Sequence, residues 1–148
     1  MRARVAPWAL ALVLLAWPPA LGHAQPSGGE LEEFVGEVAR LWGEGNVAGL
    51  IERIPETDPL RLDTGSGLEP STERHAAAAL RDLFANRRTV GARTVQVTLA
   101  SAQPPAGFGQ IAWTYRDRGA PGEQVRSIYV AAVWQSGVWR ITELRLMP

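Results

Sequence analysis

The chain has 148 residues, of which 46% are apolar, and it contains 15 arginines, 15 acidic residues, no lysine and no cysteine. This length corresponds to one domain, and the even balance of charge excludes a strongly basic nucleic-acid-binding protein. Without cysteine and lysine, the sequence also excludes thiol nucleophiles, thiolate metal sites, disulfides and Schiff-base lysines. It has no glycine-rich phosphate loop followed by lysine, so we expect no nucleotide cofactor and no other cofactor.

The first 24 residues have the pattern of a secretory signal peptide. Arg2 and Arg4 form a positively charged start, residues 8–17 are an apolar run, and small residues precede the end of the segment at Ala24. An apolar run of this length is too short to span a membrane, which requires about 20 residues. We therefore predict a secreted or periplasmic protein with cleavage after Ala24, one mature domain over residues 25–148, and no membrane span in it.

Three helices are predicted in the first half of the mature chain. Apolar residues recur there at helical spacing, with breaks at glycine and proline. Asn46 is a good N-cap for the second helix, and Ser71 or Thr72 for the third. The predicted helices cover residues 30–42, 47–54 and about 73–85. Residues 60–63 alternate in polarity and predict a short strand between the second and third helices.

The second half of the chain alternates with period two, which predicts strands. Four segments show the pattern, at residues 95–99, 111–115, 128–134 and 138–146. Their connections are short and rich in glycine and proline, which favours an antiparallel meander. In the third segment the other face is also apolar at Tyr129, Ala131 and Val133, so we expect the sheet to be covered on both sides there. The predicted class is α+β.

Two segments of the sequence resemble the nuclear transport factor 2-like superfamily, whose cone-shaped fold includes ketosteroid isomerase. Residues 41–50 look like the break between the first two helices of such domains, and residues 137–144 look like their last strand. The resemblance spans Leu31 to Met147 and is nearest to small secreted bacterial members of unknown function. It implies three helices and one short strand packed on a curved, cone-like four-stranded meander.

The resemblance does not fix a function, because this superfamily includes enzymes, binding pockets and dimerisation modules. Its isomerase-like members use a carboxylate base near the first strand together with a donor that stabilises an oxyanion. Asp63 is the only carboxylate on the short strand segment that could act as the base. The first helix has Phe34 but no tyrosine, so it lacks a hydroxyl donor for the oxyanion. His75 is a second candidate base in the first turn of the third helix, where a surface position is the simpler interpretation.

Glu143 is the only carboxylate well inside a predicted meander strand, and we expect it to form a cross-strand ion pair with Arg116 or Arg140. With a single histidine after residue 24, the sequence offers no pair of histidines for a metal site. We therefore predict no metal.

Aromatic residues in the strands allow two interpretations. Rings at strand positions usually pack in the core, but in a conical fold they also line a pocket for an apolar ligand. The candidate ligand-binding residues are Trp113, Tyr115, Tyr129, Gln110 and Arg116.

The leading functional hypothesis is a non-catalytic extracytoplasmic module that binds a small apolar ligand or another protein. The alternative is a ketosteroid isomerase-like, dehydratase or cyclase enzyme that uses Asp63 or His75. A homodimer formed through the sheet face is a third hypothesis. The missing oxyanion donor favours the first, because a base without that donor has only half of the catalytic arrangement.

The leader generates the first testable prediction. Because the charged start, short apolar run and small-residue end match a cleavable signal, we expect the exported protein to begin at Gln25. Intact mass spectrometry of the secreted or periplasmic fraction checks this. A full-length soluble chain that retains Met1 would contradict the prediction.

Overall fold

The computed structural model describes residues 25–148, and the predicted leader with its cleavage after Ala24 lies outside the described residues. Helices precede most of the strands, which is the α+β order that the sequence predicts. In chain order the elements are α1 (Gly28–Glu44), α2 (Val47–Ile51), β1 (Leu60–Asp63), β2 (Glu69–Ser71), α3 (Glu73–Asn86), β3 (Arg87–Ala102), β4 (Pro105–Asp117), β5 (Gln124–Gln135) and β6 (Val138–Leu146).

The helix ends follow local capping chemistry. Ser27 and Glu30 form a capping box at the start of α1, in which each side chain accepts a hydrogen bond from the other residue's backbone N–H. Gly45 ends α1 in the left-handed conformation, with φ of 64°. Asn46 caps α2 as predicted, and its Oδ1 accepts from the backbone N–H of Gly49 at 2.9 Å.

The helix α2 is shorter than predicted, and one of the two caps predicted for α3 is confirmed. The helix α2 ends at Ile51 rather than Ile54, because the N–H groups of Arg53 and Ile54 donate to carbonyls three residues back and tighten the chain into turns. Thr72, not Ser71, caps α3, and its Oγ1 accepts a hydrogen bond from the third residue of the helix.

The strands form one six-stranded sheet in the order β2-β1-β6-β5-β4-β3. The predicted antiparallel meander β3 to β6 is confirmed, and the predicted short strand β1 adds to it by parallel pairing with β6. The sequence did not predict β2, whose three residues are too short to show alternation and which pairs antiparallel with β1. The sheet is therefore mixed, with six strands where five were expected.

Curvature of the sheet originates in β3, which is much longer than predicted. Its register with β4 shifts at three points, so that Val90, Val95 and Ala100 are left without a partner on β4. Such bulges bend a strand and increase its twist. They also change which side chains point inward, and Val95, at one of the bulges, is 54% exposed.

Two glycines of β4 let α1 lie directly on the sheet. A Cβ at Gly109 would come within 2.6 Å of Val35 Cγ1, and one at Gly107 within 2.6 Å of the carbonyl oxygen of Thr98 and closer still to Leu31. Leu31 and Val35 are fully buried. The helix and the strand therefore meet without a space between them at this end of the fold.

The buried residues of the three helices and of one sheet face form a single core. No helix within residues 25–148 is both long enough and apolar enough to cross a membrane.

The close approach of α1 to β4 generates a stability prediction. Replacing Gly107 by alanine is expected to destabilise the fold by about 1 to 3 kcal/mol, because the added methyl group meets backbone and a buried leucine. The matched control is Gly91→Ala in β3, where nothing lies within 4 Å of the new Cβ. Denaturant titration of both variants checks the difference, and equal stabilities would show that α1 does not pack against β4 in this way.

Candidate functional site

An aromatic cluster fills the middle of the cone. Trp113 and Tyr115 are 0% and 1% exposed, and their rings stack with centroids 4.3 Å apart. Trp42 of α1 contacts Trp113 edge-on at 5.5 Å, and Phe84 of α3 contacts both tryptophans in the same way. Edge-on and offset contacts are the arrangements that aromatic quadrupoles favour. The two candidate ligand-binding rings on β4 are therefore core residues.

Hydrogen bonds fix the two β4 rings in place. Trp113 Nε1 donates to Thr89 Oγ1 at 2.9 Å, and the hydroxyl of Tyr115 donates to Gln124 Oε1 at 3.1 Å. Buried indole and phenol groups need such partners. Both polar ends are thus used within the fold.

The other three candidate ligand-binding residues lie on the opposite face of the sheet. Gln110 pairs with Tyr129 across β4 and β5. The neighbouring pair, Ile111 and Ile128, faces inward, so Gln110 and Tyr129 face outward. Tyr129 stacks on Phe108 there, with centroids 5.7 Å apart. Arg116 is exposed and pairs with Glu123 at 2.6 Å. The structure therefore divides the five residues between two faces, and they do not surround a common space.

The candidate catalytic residues have local structural contacts. Oδ1 of Asp63 accepts hydrogen bonds from the backbone N–H groups of Gly65 and Gly67, at 2.8 and 3.1 Å, which organises the turn after β1. His75 is exposed in the first turn of α3. Neither side chain lines the two grooves described below.

Glu143 forms ion pairs, but not with the arginines predicted for it. Its carboxylate pairs with Arg61 at 3.4 Å and with Arg145. The parallel register of β1 and β6 places Arg61 directly opposite Glu143, and the sequence alone gave no sign of that pairing. Arg140 instead donates to the backbone carbonyl of Glu52 at 2.8 Å.

A groove of about 650 Å³ opens where α1 and α3 end and where β3 begins beside the end of β4. We call it the arginine groove. Four arginines and two acidic residues line it, together with Phe84 and several glycines. The charged residues are Arg87, Arg88, Arg116, Arg118, Glu44 and Asp117. Of these residues, only Arg116 was predicted from the sequence as ligand-binding. The others come together through the register of β3 with β4, and no sequence pattern indicates that register.

Arg87 joins the groove to the aromatic cluster. Its guanidinium lies over the rings of Tyr115 and Trp113, at 5.3 and 6.0 Å from the centroids, which is cation–π geometry. Its Nε is 3.3 Å from Asp117 Oδ1. The side chain therefore closes the cone at this end and forms part of the groove wall.

The arginine groove has an excess of positive charge. Glu44 is already engaged by Arg40 through two hydrogen bonds of 2.8 and 2.9 Å, and these bonds raise the pKa of Arg40. Within residues 25–148, Arg88 and Arg118 have no carboxylate within 4 Å. Arg88 also stands directly opposite Arg116 in the β3 to β4 ladder. The guanidinium groups of Arg88 and Arg118 are therefore available to a negatively charged ligand.

Among the described residues, no group of three histidine, aspartate or glutamate side chains is placed to hold a metal ion.

Solved structures of low sequence identity share this architecture. No protein-family model matches the chain, and no curated protein sequence matches it. A DUF4783 family protein from Bacteroides uniformis superposes with a TM-score of 0.62 at 14% identity, over 74% of this chain and 92% of that one. A designed protein of the nuclear transport factor 2 type gives 0.59 at 12% identity, over 81% and 99%.

A third similar structure is a hypothetical protein with a ketosteroid isomerase-like fold from Catenulispora acidiphila, in complex with trimethylamine. It gives a TM-score of 0.61 at 12% identity, over 78% of this chain and 85% of that one. With the cone-like arrangement described above, these similarities confirm the predicted resemblance: the chain has the nuclear transport factor 2-like fold. At these identities the fold alone is shown, and it does not determine the ligand.

Proposed function

We propose that the chain is an exported, non-catalytic module that binds a small organic anion with an apolar body, and that the arginine groove is its binding site. The observation that carries the proposal is that four arginines and Phe84 line one groove of about 650 Å³. This volume is within the range of small-molecule pockets, about 300 to 1,000 Å³. The ligand class therefore differs from the purely apolar one expected from the sequence.

The charges support a ligand with a carboxylate or a similar group. Like charges that stand directly opposite in a sheet destabilise it, and Arg88 and Arg116 have that relation. Glu123 offsets part of this charge through its ion pair with Arg116. An anion beside Arg88 would offset the rest, since a guanidinium donates two parallel hydrogen bonds to a carboxylate. Arg118 lies on the loop after β4, and its backbone N–H donates to the backbone carbonyl of Asn86 at the end of α3. This bond holds the backbone of Arg118 beside the end of α3, where the groove opens.

The apolar part of the ligand has a surface to pack on. Phe84 lines the groove and is only half-buried, with Trp42 and Trp113 behind it. The Catenulispora protein of the same fold was solved in complex with the small molecule trimethylamine. In this chain, the excess of arginine over acidic residues in the arginine groove favours an anionic ligand instead.

The enzyme alternative has less support. A general base must be within reach of the proton that it removes, and Asp63 is instead bonded to the backbone of its own turn. His75 is exposed on the first turn of α3. Neither residue has an oxyanion donor identified beside it.

Binding of 2-naphthoate tests the proposal, because this compound combines an aromatic body with one carboxylate. We expect tryptophan fluorescence to change on binding, since Trp42 and Trp113 stand directly behind Phe84. The neutral analogue 2-naphthylmethanol should bind more weakly. Arg88→Gln and Arg118→Gln should each weaken 2-naphthoate by about fivefold, as expected for the loss of roughly 1 kcal/mol from a partly exposed ion pair.

The matched control is Arg93→Gln, an exposed arginine of β3 that does not line the groove. Equal loss of affinity in this variant, or equal binding of the neutral analogue, would contradict the proposal. Turnover of a small ketone that disappears in Asp63→Asn, with the fold retained, would favour the enzyme instead.

We also propose that the outer sheet face, defined by Phe108, Tyr129, Ala131 and Val133, is the interface of a homodimer. The four side chains are only partly buried, because the core and its helices cover the other face of the sheet. Their remaining apolar surface is open to a second copy of the chain. The stacked rings of Phe108 and Tyr129 are at the centre of this patch. A two-fold dimer would bring the same apolar patch of each copy together.

The dimer hypothesis predicts that Tyr129→Asp shifts the protein toward monomer, because a charge would be buried between the two faces. Sedimentation velocity at several concentrations measures this shift. Val90→Asp is the control, since Val90 is 51% exposed on a bulge of the edge strand β3. A wild-type protein that stays monomeric at all concentrations would refute the interface.

A further inference from the structure

A second groove, of about 450 Å³, lies beside the hairpin that joins β5 to β6. We call it the tryptophan groove. It is walled by two tryptophans and one phenylalanine, and two acidic and two basic side chains also line it. These residues are Trp134, Trp139, Phe34, Glu37, Glu52, Arg53 and Arg140. It shares no residue with the arginine groove.

Aromatic rings give the groove flat apolar walls. Trp134 and Trp139 are paired across β5 and β6, with ring centroids 5.6 Å apart and planes at 72°. A tight turn with positive φ at Ser136 and Gly137 connects the strands and fixes this pair beside the opening. Trp134 and Phe34 remain half-buried.

The charges of the groove are balanced, unlike those of the arginine groove. Arg53 pairs with Glu37 and also donates to the carbonyl of Gly49. The side chain of Glu52 has no ion pair within residues 25–148, and Arg140 donates to the backbone carbonyl of that residue. The groove therefore offers a free carboxylate acceptor and guanidinium donors with no net charge to attract an ion.

One buried donor in this groove has no partner. Trp139 is 5% exposed, and its Nε1 finds no acceptor among the described residues. Leaving a buried N–H unpaired is costly, and most buried polar groups in folded proteins are paired. Nε1 itself is enclosed, so the acceptor of a ligand reaches it only if the side chains around it move.

We propose that the tryptophan groove binds a neutral saccharide. A sugar ring presents an apolar C–H face that packs on an indole, and its hydroxyls both donate and accept hydrogen bonds. That combination matches the ring walls, the Glu52 carboxylate, the Arg140 guanidinium and the unpaired indole N–H. An organic cation fits less well because Arg53 and Arg140 repel it, and an organic anion is opposed by Glu37 and Glu52.

Titration with the neutral trisaccharides maltotriose and cellotriose tests the proposal in the 15N-labelled mature protein. We expect at least one of them to shift the indole N–H resonance of Trp139 and to leave that of Trp113 unchanged. Trp134→Ala should weaken binding by about tenfold or more through loss of a ring wall, a factor that corresponds to about 1.4 kcal/mol. Glu52→Gln should weaken it less, since the amide retains one acceptor oxygen.

Two controls separate this site from the arginine groove. Arg118→Gln should leave saccharide binding unchanged, and 2-naphthoate should not compete with the sugar. Trp134→Phe keeps a ring wall and should retain most of the affinity, which separates loss of the wall from loss of the fold. The proposal is overturned if neither trisaccharide shifts the Trp139 resonance, or if the shift persists in a folded Trp134→Ala protein with unchanged affinity.

Discussion

The contact between α1 and the glycines of β4 is the constraint on which the rest of the structure depends. Because Gly107 and Gly109 have no side chains, Leu31 and Val35 reach the backbone of the sheet. Farther along the helix, Trp42 meets Trp113 edge-on. One helix thus closes the cone along its length, first by backbone contact and then by aromatic packing. Within residues 25–148 these side chains fill the centre of the cone, and the two grooves lie where the elements end.

The helices and the meander were predictable because both depend on short-range patterns. Helical spacing, caps such as Asn46 and period-two alternation are visible within a few residues. The register was not predictable, since it depends on bulges in β3 that leave Val90, Val95 and Ala100 unpaired. No local signal marks these bulges. The partners of Glu143 were missed for the same reason, because its pairing with Arg61 needs a parallel contact between distant segments.

The candidate ligand-binding residues show what period-two alternation cannot predict, namely which face of a strand with two apolar faces lies against the core. In β5 both faces are apolar, so the sequence did not say whether the face of Ile128 and Val130 or the opposite face, with Tyr129, points toward the core. A shift of one residue moves a side chain to the other face of a sheet. The structure places Ile128 and Val130 inside and Tyr129 outside. Aromatic residues that looked like one pocket are therefore divided between the core and the outer face.

Filling the cone also explains why the two grooves differ in chemistry. The arginine groove lies where β3 begins and β4 ends, so charged residues at strand ends gather there, and Arg87 covers the last rings of the core. The tryptophan groove lies at a hairpin, where Trp134 and Trp139 form a cross-strand aromatic pair and Trp134 stays partly exposed. In the arginine groove, the register of β3 and β4 brings arginines together, which favours an anionic ligand. In the tryptophan groove, acidic and basic side chains balance beside aromatic rings, which favours a neutral ligand. The same closed core thus leaves two sites whose ligands should not compete, since each is selected by the residues at its own end of the sheet.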